Sequence, residues 1–259
     1  MTDPALITCR ALMKCYGTFT AVAHLDLQVR AGEILGLVGA NGAGKTSTLR
    51  CIAGIMPPSG GEIYIAGRSM AGDALEAKRN LCFVPDTPHL FDYLTVEEHL
   101  RFAGRIYGLP DIDARVARLL ARFELESKAR QLPQSLSRGM RQKVAICMGF
   151  LHDPQAILLD EPLTGLDPLG VLSMKEAIVE RARQQQAAVV LSSHQLDVLQ
   201  ALCDRVLILD KGRAVISGTL EELRQQLGTQ QGELSLEQLY LRLKQPGRPQ
   251  EVPRVAKGV

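Results

Sequence analysis

The stretch Gly39-Ala40-Asn41-Gly42-Ala43-Gly44-Lys45-Thr46 decides how the rest of this chain is understood. It satisfies the phosphate-cradling pattern of two glycines separated by four residues, followed by Lys and Ser or Thr. Upstream, Ile34-Leu35-Gly36-Leu37-Val38 is an apolar run of strand length, and downstream Thr46 to Ile55 carries apolar side chains at helical spacing. A strand, a tight turn and a helix start in that order predict a loop whose backbone N–H groups converge on one centre. Gly39, Gly42 and Gly44 permit the curl. Lys45 then brings a full positive charge to the outer phosphates of a nucleoside triphosphate, and the Thr46 hydroxyl is a ligand for Mg²⁺. Outside that context the same residues would be a glycine-rich turn and nothing more.

The whole chain is consistent with a globular protein of this kind. It has 259 residues, 46% of them apolar, enough for a substantial core. Thirty basic residues against 28 acidic ones leave a net charge of +2, so there is no electrostatic argument for a nucleic-acid partner. No basic start is followed by an apolar run, and the longest apolar runs, such as Ala156 to Leu159 and Val206 to Leu209, are too short to cross a bilayer. A soluble, cytoplasmic chain is expected. Its six cysteines are scattered singly, without metal-ligand spacing, and are expected to be reduced buried hydrophobes. The absence of tryptophan weakens any interpretation as a base-stacking surface.

Taken in order, Leu6 to Leu12 and Leu25 to Val29 alternate apolar with polar and predict an antiparallel pair joined through Tyr16-Gly17. Tyr16 either packs at a strand end or offers an aromatic platform to a nucleobase. Met56-Pro57-Pro58-Ser59-Gly60-Gly61 breaks the chain, and strands are expected at Ile63 to Ile65 and Leu81 to Val84. From about residue 87 to 152 the character is helical. Thr95 with Glu98 forms a capping box, Asp111 or Asp113 starts a second helix, and Ser137 starts a third. Strands then recur at Ala156 to Leu159, Val189 to Leu191, Arg205 to Leu209 and Arg213 to Ile216, with helices between and after them. The α/β class follows: a mostly parallel sheet covered on both faces, an N-terminal antiparallel β subdomain and an inserted helical subdomain. The expected domain spans 5–243, and residues 244–259, rich in Pro, Gly and Arg, are expected to be a disordered tail.

The apolar strand ending in Asp160-Glu161 is the companion a phosphate loop requires. Asp160 would hold the Mg²⁺ shell, and Glu161 would orient and deprotonate the water attacking the γ-phosphate. Both serve one site only because the strand is ending there, since successive strand residues point to opposite faces.

Leu136-Ser137-Arg138-Gly139-Met140-Arg141-Gln142-Lys143 resembles the signature sequence of ATP-binding-cassette (ABC) ATPases, Leu-Ser-Gly-Gly-Gln before a basic helix start. Arg138 and Met140 stand where that pattern has Gly and Gln. Ser137 alone would be an ordinary N-cap; with Gly139 and the helix N-terminus it is also a potential anion site. The resemblance covers about Leu6 to Leu243. It implies ATP and Mg²⁺ as cofactors and assigns ATP binding to Tyr16, Gly39, Ala40, Asn41, Gly42, Ala43, Gly44, Lys45, Thr46 and Ser47. Catalysis falls to Glu161, Lys45 and the switch histidine His194, and the metal to Thr46, Asp86 and Asp160. Ser137, Arg138, Gly139 and Met140 would face the nucleotide of a second ATP-binding subunit, with Asp167 in the loop that speaks across a head-to-tail dimer.

Where such proteins have Gln after the strand at Leu81, this chain has Asp86; its Val84-Pro85-Asp86 and the run Leu90 to Glu98 resemble the bacterial exporter-type subset. What the resemblance implies is an ATPase powering export through a separate integral membrane permease, and so a peripheral location on the inner face of the cell membrane. The rival is a soluble ATPase of this type acting on ribosomes or DNA, or serving as a regulatory module. Such proteins carry tandem cassettes or a long coiled coil, and this chain has neither.

Overall fold

The computed structural model describes residues 5–227 and 234–244; of the expected tail, Lys244 is the last residue of a helix and 245–259 lie outside the described residues. Strands β1 (Ala5–Tyr16) and β2 (Phe19–Arg30) form the expected antiparallel pair, longer at both ends than the alternation alone marks out. With β4 (Gly60–Ile65) and β5 (Arg68–Ser69) they make a four-stranded sheet in the order β2-β1-β4-β5. The second sheet runs β10-β9-β3-β8-β7-β6, from β3 (Ile34–Val38), β6 (Leu81–Val84), β7 (Ala156–Asp160), β8 (Ala188–Ser192), β9 (Arg205–Asp210) and β10 (Arg213–Gly218). Its pairings are parallel except β9 with β10.

Every residue of β3, β7 and β8 is buried, because both faces of this sheet are covered. Alternate side chains feed two different cores. Ile34, Val38, Ile157, Leu159, Val189 and Leu191 point to one side, packing with α3 (Val96–Ile106), α4 (Ile112–Arg122), α5 (Arg138–Phe150), α6 (Pro168–Arg183) and α7 (Leu196–Leu202). Leu35, Leu37, Leu158 and Val190 point to the other, against α1 (Lys45–Ile52) and the antiparallel sheet. Two further helices, α8 (Leu220–Gln226) and α9 (Leu236–Lys244), extend the first core through Leu223, Leu236 and Leu239.

Three local expectations change. Helix α1 stops at Ile52 rather than Ile55, because Gly54 adopts φ +62° and closes a Schellman motif, its amide donating to Cys51 O and that of Ile55 to Arg50 O. Asp111 does precede α4, but in a left-handed conformation with no side-chain capping bond, and Asp113 pairs with Arg101 at 2.5 Å instead. A short helix α2 (Ala74–Arg79) went unpredicted because only Ala77 is buried, too little for a periodic signal. The Thr95–Glu98 capping box, by contrast, is fully formed. All six cysteines are free, and burial drives the thiol of Cys82 up to about 12.

Between β6 and β7 the described residues form only helices and turns. Asp153 anchors this helical lobe, accepting from Arg115 of α4 at 2.6 Å and from Arg181 of α6 at 2.5 Å.

Candidate functional site: a phosphate loop and a carboxylate edge

The register of the parallel strands brings the candidate residues to one edge. Leu37 pairs with Ser192, Ser192 with Asp160, and Leu159 with Val84. The segments that follow β3, β8, β7 and β6 therefore leave the carboxyl edge side by side, carrying the phosphate loop, His194, Glu161 and Asp86. Ligands of open α/β sheets bind along this edge.

The loop from Gly39 is clamped from behind. Gly44 has φ +105°, and a Cβ there would stand 2.4 Å from Ala21 O, so only glycine fits. The Gly212 amide donates to Ala43 O, joining the loop to the β9–β10 turn. Ala43 is buried, whereas Ala40, Asn41, Gly42 and Thr46 are exposed. Lys45 opens α1 with its side chain turned back inside the loop, Nζ donating to Gly39 O at 2.6 Å and Ala40 O at 3.2 Å. Burial pushes its ammonium below the usual range, against the opposing pull of the Glu161 and Asp160 charges.

Asp160 ends β7 and is only 3% exposed. Ser192 Oγ donates to its Oδ1 at 2.7 Å and accepts the Glu161 amide at 3.1 Å. Glu161 itself has φ +50°, a left-handed conformation costing a non-glycine residue about 1–2 kcal/mol. That turn ends the strand alternation. Glu161 Oε2 meets His194 twice, accepting its backbone amide at 3.2 Å and lying 2.8 Å from ring Nδ1. A carboxylate only accepts, so Nδ1 carries a proton and donates it. The ring is 63% exposed.

Tyr16 stands at the end of β1, with its hydroxyl 3.4 Å from Ser47 Oγ on α1 and Lys14 Nζ 5.1 Å from its ring centre. The structure thus brings Tyr16 to the start of the phosphate-loop helix.

A second cluster gathers at the start of α5. Ser137 is the N-cap, accepting the Met140 amide at 3.2 Å. Gly139 is packed so closely on the loop after β7 that a Cβ would stand 2.3 Å from Gly165 O. Asp167, in the same loop, caps α6 by accepting the Gly170 amide at 2.9 Å. Arg138 reaches Asp86, Nη2 to Oδ1, at 2.8 Å, and Gln142 Nε2 donates to Pro85 O at 3.3 Å. Asp86 thereby joins the start of α5.

Sequence reasoning missed three contributors. Ser192 was visible only as part of Leu191-Ser192-Ser193-His194, and its bridging role needs the β7–β8 pairing. The Asp86–Arg138 pair joins residues 52 apart. His99, fully buried on α3, lies with Nδ1 2.7 Å from Thr95 O while Nε2 accepts the Phe91 amide at 2.8 Å, contacts that no local sequence pattern marks.

A phosphate loop beside an Asp-Glu pair and a histidine, on a parallel sheet, defines a P-loop nucleotide-hydrolase core with an inserted helical lobe. Residues 22–164 match the ABC transporter family. The chain is 35% identical over 92% of its length, and 96% of the relative's, to "ABC-type transporter ATP-binding protein EcsA" of Bacillus subtilis (strain 168). It is 37% identical over 80% of its length, and 87% of the relative's, to "SkfA peptide export ATP-binding protein SkfE" of the same organism. A solved structure titled "Structure of ATP binding subunit of ABC transporter" superposes with a TM-score of 0.88 at 36% identity, covering 93% of this chain and all of that one. The chain belongs to the ABC transporter family. No helix among the described residues is long and apolar enough to cross a membrane.

Proposed function

We propose that this chain is the ATP-hydrolysing subunit of an ABC transporter, acting in export through a separate membrane permease. The observation that carries this is the convergence of Lys45, Asp160 and the Glu161–His194 pair on one sheet edge. In this reading the amides of 39–44, Lys45, Thr46 and Ser47 take the triphosphate of ATP, and Tyr16 stacks on the base.

Mg²⁺ fits the residues present. Asp160 is a buried carboxylate oriented by Ser192 Oγ at the end of its strand, the kind of hard oxygen donor that Mg²⁺ takes. Thr46 and Asp160 would hold it, with Asp86 at the margin, and Mg²⁺ supplies charge neutralisation on the phosphates. Glu161 orients and deprotonates the attacking water. His194, its ring fixed by Glu161, presents Nε2 towards the γ-phosphate.

The site is completed by a second copy placed head to tail. Three strand spacings separate β3 from β6, roughly 14 Å, so Ser137 and Gly139 stand well away from the phosphates held by their own chain. They suit the nucleotide of a partner instead. Phe91, Tyr93, Phe102 and Ile106 expose apolar surface on the helical lobe, Tyr93 at 90%, and this is the face offered to the permease. Such a subunit sits on the inner face of the membrane through that contact.

Glu161→Gln tests the reading. The variant should bind ATP, hydrolyse it at least 100-fold more slowly and accumulate as an ATP-dependent dimer. Hydrolysis at the parent rate would remove Glu161 from the role of base.

A further inference from the structure

The end of β1 is laced to the segment that follows α1. The Ser59 amide donates to Met13 O at 2.8 Å, the Cys15 amide to Ser59 Oγ at 3.0 Å, and Lys14 Nζ to Pro57 O at 2.9 Å. The Tyr16 hydroxyl donates to Met56 Sδ at 3.3 Å and lies 3.4 Å from Ser47 Oγ. Each of residues 13–16 therefore has a partner in 56–59. Tyr16 is also tied to α1 itself, two residues after Lys45, so the same contacts set the spacing between its ring and the phosphate loop.

Lys14 and Tyr16 lie two apart in β1 and share one face of the strand. Lys14 Nζ stands over the Tyr16 ring, 5.1 Å from its centre, and the bond to Pro57 O holds it there. The tyrosine is still 45% exposed. A ring with an anchored ammonium over one face has one face left for a flat partner.

We propose that Lys14 is a positioning residue for the nucleobase, closing one face of Tyr16 and directing the base to the other. This rests on the reading that Tyr16 stacks on the base. Two physical effects act together. The ammonium is attracted to the negative face of the ring, and a base could reach that face only by displacing Nζ from both the ring and Pro57 O. The cation also draws ring electron density towards itself, which leaves the far face less negative and better matched to the electron-rich face of a purine. Lys14 thus acts through Tyr16 and touches neither the base nor the phosphates.

The test is calorimetric binding of Mg²⁺–ADP, which carries the base and is not turned over, beside Mg²⁺–pyrophosphate, which carries phosphates alone. Lys14→Met keeps the bulk of the stem and removes the charge. It should weaken ADP binding about two- to fivefold and leave pyrophosphate binding unchanged. Lys14→Arg keeps a cation and a donor and should bind ADP as the parent does. Tyr16→Ala should weaken ADP binding about tenfold or more, and Lys14→Met added to it should change nothing further. Parent-like ADP binding by Lys14→Met would overturn the proposal, as would a Lys14→Arg chain no better than Lys14→Met. An equal loss for pyrophosphate would place Lys14 on the phosphates and overturn it too, and so would a further loss in the Tyr16→Ala chain. A Tyr16→Ala chain that binds ADP like the parent would instead overturn the stacking reading itself.

Discussion

Ser192 Oγ donates to Asp160 Oδ1 at 2.7 Å while accepting the Glu161 amide at 3.1 Å, so one hydroxyl on β8 orients both members of the acidic pair on β7. Ser192→Ala removes a donor from a buried carboxylate, while the Glu161 amide keeps its bond to the Ser192 carbonyl at 3.1 Å. The expected cost is about 1–3 kcal/mol of stability, read by urea denaturation, with slower ATP hydrolysis and retained ATP binding. An unchanged midpoint would show that water replaces the hydroxyl without loss.

Gly139 and Gly165 touch backbone to backbone. Gly139→Ala places a carbon 2.3 Å from the Gly165 carbonyl, and neither partner is a movable side-chain tip. The start of α5 must separate from the loop that carries Asp167. ATP-driven dimerisation should fall at least tenfold while ATP binding by the isolated chain persists, because Gly39–Thr46 is untouched. Equilibrium ATP titration beside sedimentation separates the two effects.

The His99 ring is oriented by two partners, Nδ1 facing Thr95 O and Nε2 accepting the Phe91 amide. Its ring also stacks on that of Phe91 at 5.9 Å. His99→Ala leaves the Phe91 amide unpaired and opens a cavity beneath the exposed aromatic loop. A loss of about 2–4 kcal/mol is expected, together with faster chymotryptic cleavage near Tyr93. Cleavage at the parent rate would mean that the loop is held by other contacts.

His152 stacks on Tyr107 with ring centres 3.8 Å apart, and burial lowers its imidazole to about 4. A depressed histidine means that the unfolded chain binds more protons between about pH 6.5 and 4. Stability is therefore lost as pH falls through that window, by about 2–3 kcal/mol from this group. His152→Phe keeps an aromatic partner for Tyr107 and should flatten the acid limb of stability against pH. An equally steep limb in the variant would assign the acid sensitivity to other groups.

Much of this molecule is determined locally and is legible in the chain. The phosphate loop, the apolar strands, the Thr95–Glu98 box, the Ser137 and Asp167 caps and the Asp160–Glu161 strand end depend on residues within a few positions of one another. Helix starts, glycine turns and alternating burial act over that range. What tertiary structure decided lies in contacts between distant segments. Strand order alone sets Ser192 under Asp160, brings Asp86 to the same edge as the phosphate loop and places two strands, β8 and β7, between the strand that leads into that loop and the edge strand β6. Asp86 and Arg138 each read in isolation as a departure from a pattern; packed together they are a charge pair. Side-chain chemistry is written residue by residue, but which charges meet depends on how the sheet is ordered, and non-local packing alone sets that order.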